Sequence, residues 1–217
     1  MNPAIADLLA PASFRLSTAE AVLPPFVESA AGPLAGELQA LLRVRNGFYA
    51  FSNALHVFPA VSSDLSWGLE DWNMPGLWKH EYESFVDPGL CFAQDTFANQ
   101  FSIKEGTICR FDVETGVLTP VAATVAKWAE LIQSNDRLWT GWPIAYRWKE
   151  KHGPIPLHQR LQPATPFCCG GSDEIETLTA VDSALLLGFW GKFATQIHEL
   201  PDGATINSAI LRREPPG

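Results

Sequence analysis

Residues 91–122 read CFAQDTFANQFSIKEGTICRFDVETGVLTPVA, and the spacing of their apolar positions decides the fold. Phe101 and Ile103 alternate with Ser102 and Lys104, and Glu105-Gly106 then makes a tight turn. Thr107, Cys109, Phe111 and Val113 alternate with Ile108, Arg110 and Asp112 before Glu114-Thr115-Gly116 turns the chain into Val117 and Leu118. Period two in consecutive runs joined by hairpin-length loops predicts an antiparallel meander with one face buried. The run LCFAQ (90–94) predicts a further strand before it. Thr124 has the chemistry of an N-cap, and Val125, Trp128, Ala129, Leu131 and Ile132 form the apolar face of a helix ending near Ser134.

Upstream, Leu34, Leu38, Leu41 and Leu42 recur at helical spacing within 33–45. Pro33 suits the first turn of that helix, and Asn46-Gly47 ends it with two residues able to enter the left-handed region. FYAF (48–51) and ALHVFP (54–59) read as strands, the second stopped by Pro59. Residues 61–89 form a long, acidic, irregular connection holding Trp67, Trp72 and Trp78. After Arg137 the chain is rich in aromatics and proline without a sustained period, a composition whose tryptophans favour packing over a free linker. A helix is expected over 181–198 with Leu185, Phe189, Phe193 and Ile197 on its apolar face, then a turn at Pro201-Asp202-Gly203 and a strand-like run containing Ile206 and Ile210. The tail RREPPG is expected to fray. The fold class expected is α+β: a first domain at 1–136 with an antiparallel meander flanked by helices, and an α+β extension at 137–217 packed on it.

Composition narrows the function. With 47% hydrophobic and 18% charged residues over 217 positions, the chain can bury a substantial core. No window approaches the ~18 apolar residues of a membrane span, and Asp7 and Pro11 interrupt the place where an export signal would carry its apolar run. A cytoplasmic protein with reduced thiols is therefore expected. A formal charge of -9 argues against a nucleic-acid partner, since phosphate contacts need Lys and Arg. The charge is also uneven. Between Asn46 and Gln100 stand Asp64, Glu70, Asp71, Glu81, Glu83, Asp87 and Asp95 against Lys79 alone, whereas Arg137, Arg147, Lys149, Lys151 and Arg160 face only Glu150.

No catalytic constellation emerges. Cys168 or Cys169 in PFCCGGSDE is the best candidate nucleophile, with His152, His158 and His198 as possible bases, but a pair of small thiols beside a glycine turn accounts for the same residues. No HExxH, calcium loop, GxxxxGK[ST] or GxGxxG is present, and adjacent cysteines are expected to stand too close for a tetrahedral metal bite. No cofactor is expected. The acidic, tryptophan-bearing segment suits protein binding better: Asp64, Trp67, Glu70, Asp71, Trp72, Glu81, Glu83 and Asp87 are the candidate contact residues for a basic partner.

Residues 20–134 resemble the SUKH superfamily, which includes fungal cell-wall-assembly regulators, the Syd protein and bacterial immunity proteins. The likeness lies in the Asn46-Gly47 break, the run Phe92, Ala93, Asp95, Phe97, Asn99, Phe101, the EGTICRFDVETG hairpins and the Thr124-capped helix; family members more often carry Gly where Ala98 stands. The segment from Arg160 to Gly203 resembles the C-terminal part of some type VI secretion immunity proteins. The resemblance implies a noncatalytic α+β scaffold that binds and neutralises a cognate bacterial toxin, with contact residues that vary from pair to pair. The alternative is an intracellular regulatory or scaffold protein of the same fold with an endogenous protein partner.

Overall fold

A computed structural model describes residues 2–201 together with 203, 204 and 206. Of the expected strand-like run, Ile206 is described and lies in no strand, while Ile210, the tail after it and Asp202 of the expected turn lie outside the described residues.

Three helices open the chain: α1 (Pro3–Leu9), α2 (Pro25–Ala31) and α3 (Ala35–Val44). The leucine stripe of 33–45 is buried as its spacing requires, with Leu34 in a short 3-10 turn before α3 and Leu38, Leu41 and Leu42 on it. Gly47 takes the left-handed conformation (φ 70°) that ends this region. Asn46 instead uses its amide, its Oδ1 accepting the Ala60 N–H and its Nδ2 donating to the Ala19 carbonyl.

Six strands follow in one antiparallel meander, each pairing with the next: β1 (Phe48–Ala50), β2 (Leu55–Val57), β3 (Leu90–Gln94), β4 (Gln100–Lys104), β5 (Thr107–Phe111) and β6 (Leu118–Ala122). Between β2 and β3 lies the one-turn helix α4 (Leu69–Trp72), and after β6 come α5 (Val125–Ser134), α6 (Asp136–Thr140) and α7 (Trp142–His152). A second, two-stranded antiparallel sheet, β7 (Gln159–Pro163) with β8 (Leu178–Asp182), leads into α8 (Ser183–Ile197). The molecule is thus α+β, with the six-stranded sheet flanked by helices.

Cross-strand register assigns the two faces of the sheet. Phe48, Val57, Ala93 and Phe101 are successive partners on one face, where Phe101 and Phe92 meet Trp128 of α5 edge-on at 5.5 and 5.0 Å. Tyr49, His56, Gln94, Gln100 and Phe111 are successive partners on the other. The expectation of one wet face is wrong, because β3 and β4 are buried at nearly every position. The second face is covered by the irregular segment 61–89 and by α8, which the period of the strands alone could not reveal.

The apolar face expected for α8 also differs. Leu185 is 72% exposed, while Leu186, Leu187, Trp190, Phe193 and Ala194 enter the main core. This helix is apolar almost all round, so its orientation is set by what it packs against. Gly191 fixes that choice: a Cβ there would stand 2.5 Å from Glu81 Cβ and 2.9 Å from Tyr82 Cε2, so the helix backbone rests directly on the 79–82 turn. Helices α6 and α7 fall where no period was visible, because only Ile144, Ala145 and Trp148 of α7 are buried. Pro143, which reads as a breaker, sits in the first turn of α7, where its missing N–H costs nothing.

Candidate functional site

Segment 61–89 owes its fixed shape to aromatic packing. Phe58 stacks on Trp72 (centroids 4.6 Å), Trp72 tilts against Trp78 (5.9 Å), Trp78 meets Tyr82 edge-on (5.9 Å), and Tyr82 meets Phe111 of β5 edge-on (5.0 Å). Each polar handle is used. Trp72 Nε1 donates to Gln100 Oε1 at 2.9 Å, Trp78 Nε1 to the Trp72 carbonyl at 2.9 Å, and the Tyr82 hydroxyl to the Val113 carbonyl at 2.7 Å. Trp72, expected as a partner contact, is therefore a core residue with no exposed surface. Large rings whose N–H finds an internal acceptor are anchors for the loop itself.

The remaining candidates separate into two groups. Asp64, Glu70 and Glu83 are exposed, with no ion pair or side-chain hydrogen bond among the described residues, and Asp71 accepts the Ser62 hydroxyl at the surface. Trp67 stands 37% exposed in the same segment. Glu81 and Asp87 serve internal pairs. Glu81 lies 3.2 Å from His80 Nε2 and 3.7 Å from Lys192 of α8, and Asp87 binds Lys104 of β4. Burial works against the Asp87 charge, but the Lys104 bond, the Gly89 N–H and the charges of Lys104 and Lys79 outweigh it and lower its pKa. Glu83 and Asp87 line a crevice of about 530 Å³ with Phe26, Val86 and Ile103.

Beneath this segment lies a buried polar row that the sequence did not single out. Gln94 Nε2 donates to His56 Nδ1 (3.1 Å), so His56 carries its proton on Nε2 and donates it to Ser66 Oγ (2.9 Å), which in turn donates to the Trp67 carbonyl (2.9 Å). Tyr49 stacks on the imidazole at 4.2 Å. Burial, then the charge of Arg160, then His158 push the His56 pKa well below its ordinary value, so the ring is neutral. Arg160, counted above among the bases between Arg137 and Arg160, is fully buried. Its Nη1 donates to the Gln159 carbonyl (2.7 Å) and its guanidinium lies 5.2 Å from the Tyr49 ring, while among the described residues Nε and Nη2 have no partner at hydrogen-bond geometry. Polar strand positions occupied by His, Gln and Ser instead of Lys or Glu were the available signal.

A larger cleft, about 1210 Å³, opens at one end of the sheet between the β3–β4 turn, the β5–β6 turn, α6–α7 and the 167–174 loop. Asp95 builds its floor: Oδ1 accepts the N–H groups of Phe97 (2.8 Å) and Asn99 (2.9 Å), Oδ2 accepts Asn99 Nδ2 (2.8 Å), and Arg110 approaches Oδ2 at 3.4 Å. Burial raises the Asp95 pKa despite Arg110 and these bonds. Ala98 lies in this turn at φ 70°, the left-handed region that favours glycine. Trp142, Tyr146 and Phe167 form aromatic parts of the wall.

Glu114 ties the sheet to the C-terminal segment. Its Oε1 accepts the Phe167 N–H (3.0 Å) and its Oε2 the Cys168 N–H (2.9 Å). Burial raises its pKa against the pull of those two bonds. Burial and then the Glu114 charge push the Cys168 thiol far up, the opposite of what a thiolate nucleophile requires. The sulfurs of Cys168 and Cys169 stand 3.8 Å apart, so the expectation that neighbouring cysteines are too close for a tetrahedral bite does not hold: two bonds of about 2.3 Å at the tetrahedral angle span about 3.8 Å. Among the described residues, no group of three or more His, Cys, Asp and Glu side chains is arranged to hold a metal, and no helix is long and apolar enough to cross a membrane.

No family model matches the sequence, and no curated protein matches it. Among solved structures the fold is similar to the crystal structure of Atu4351 from Agrobacterium tumefaciens, with a TM-score of 0.59 at 10% identity over 88% of this chain and 89% of that one. At this identity the likeness establishes the architecture alone.

Proposed function

We propose that the protein is a noncatalytic cytoplasmic immunity protein that binds a cognate bacterial toxin and blocks it by direct contact. The observation carrying this reading is the segment 61–89: Asp64, Glu70 and Glu83 project, without charge partners among the described residues, from a loop whose own tryptophans lock it onto the sheet. A surface fixed in advance loses little entropy on binding, and its charge accelerates capture of a basic partner. The resemblance of residues 20–134 to SUKH proteins and the net charge of -9 point the same way and suit a basic nuclease toxin.

The test is protection. Candidate basic toxin domains are expressed one by one in a sensitive host with and without this chain. Growth rescue together with a co-purifying complex is expected. Unrescued growth with both proteins folded and expressed would reject the immunity reading and favour a scaffold with an endogenous partner.

A further inference from the structure

The large cleft at the end of the sheet shares no lining residue with segment 61–89, so the proposed partner surface leaves it unused. Its walls restrict what it can hold. Among the described residues five carboxylates and three arginines line it, and most of these charges are already paired. The Arg110 guanidinium lies between Asp95 (3.4 Å) and Asp112 (3.9 Å), and Arg147 lies 3.5 Å from Glu174 while donating to the Asp173 carbonyl at 3.2 Å. An anion would meet the excess of carboxylates, and a cation would have to displace arginines from them. A hydroxyl suits both, because it donates to a carboxylate and accepts from a guanidinium through the same oxygen. Asp95 and Glu114 are occupied by backbone N–H groups and fix the two turns from which this polar lining is presented.

The rest of the wall is aromatic. Trp142 and Tyr146 stand one turn apart on α7 with ring centroids 6.0 Å apart, Trp142 half-buried and Tyr146 exposed. Ile144, Ala145 and Trp148 pack the opposite side of that helix against Leu161 of β7, which keeps the two rings on the cleft side. Flat rings beside fixed, paired polar groups match a ligand with apolar C–H faces and a hydroxyl-bearing edge. At about 1210 Å³ the cleft exceeds the ~300–1,000 Å³ of ordinary small-molecule sites, which leaves room for several rings. We propose that the cleft binds an uncharged oligosaccharide. Its pyranose faces stack on Trp142 and Tyr146, and its hydroxyls are shared between the guanidiniums of Arg110 and Arg147 and the carboxylates of Asp112 and Glu174.

The probe is an array of neutral, sialylated and sulfated glycans incubated with the full chain, followed by calorimetry with the neutral oligosaccharide retained best. The expected result is saturation at one oligosaccharide per chain, with an affinity that changes less than about twofold between low and high salt, since an uncharged ligand offers no charge to screen. Trp142→Ala and Tyr146→Ala should each weaken binding roughly tenfold, whereas Leu185→Ala, on the exposed side of α8, should leave it unchanged. Tyr146 is exposed, so its variant folds, and an unchanged denaturation midpoint verifies this. Retention of no glycan, preference for the sialylated or sulfated members, or binding that survives both aromatic substitutions would overturn the proposal.

Discussion

His56 supplies a quantitative prediction, because its network has no place for a second proton. Nε2–H already donates to Ser66, and protonated Nδ1 would meet the amide hydrogens of Gln94. The folded-state pKa is therefore depressed, and the unfolded chain binds the proton first. Stability carried by neutral His56 is fully present above the unfolded value of about 6.5 and is lost as pH falls towards the folded pKa. With an unfolded pKa of about 6.5 and no protonation of the folded ring, moving from pH 7.5 to 5.5 costs about 1.4 kcal/mol from this residue. Asp95 and Glu114 act with the opposite sign. Their raised pKa values make the folded state the better proton acceptor, so acidification from above their folded values down towards about 4 adds stability. The measurement is therefore a double difference: urea unfolding of wild type and His56→Gln at both pH values. The variant should be less stable at pH 7.5 and should lose about 1.4 kcal/mol less on acidification. Parallel losses in the two proteins would refute the neutral-histidine account.

Three further outcomes follow from the packing. Trp72→Ala should cost about 3–5 kcal/mol in urea unfolding, since it removes a buried indole and strands Gln100 Oε1, whereas Trp67→Ala should cost under about 1 kcal/mol and weaken partner binding instead. Gly191→Ala should destabilise by about 1–2 kcal/mol, because overpacking against Glu81 and Tyr82 exceeds the ~1 kcal/mol gain in helix propensity; a thermal scan showing stabilisation would contradict the close approach. Arg160→Met should leave stability unchanged or raise it by about 1–4 kcal/mol, since it removes a buried, under-bonded cation; a loss of ~3 kcal/mol would mean that the guanidinium is well paired.

Local order was legible where chemistry is local. The strand alternation at 100–111, the two-residue turn at Glu105-Gly106 and the Thr124 cap, whose Oγ1 accepts the Lys127 N–H at 3.1 Å, all follow from neighbours in sequence. What covers the sheet was not legible. His56, Gln94 and Gln100 are the polar half of an alternating pattern and look solvent-facing until Trp72, Trp78 and α8 close over them from distant parts of the chain. The candidate site divides similarly. Exposed acids were identified by charge alone, but Trp72 was misplaced because an acidic neighbourhood says nothing of where an indole points. Glu81 and Asp87 found Lys192 and Lys104 at distances along the chain that no spacing rule encodes. Ala98 takes a left-handed backbone (φ 70°) that its own side chain does not signal.

The central claim is that the acidic segment captures a basic toxin. Its most direct test is the association rate between this protein and a purified basic toxin domain against which it protects, at low and high salt, for wild type and for a variant neutralised at Asp64, Glu70, Asp71 and Glu83. Wild-type association should slow steeply with salt, and the variant should associate slowly with little salt dependence while unfolding at the wild-type midpoint. Equal rates and equal salt dependence in the two proteins would contradict it.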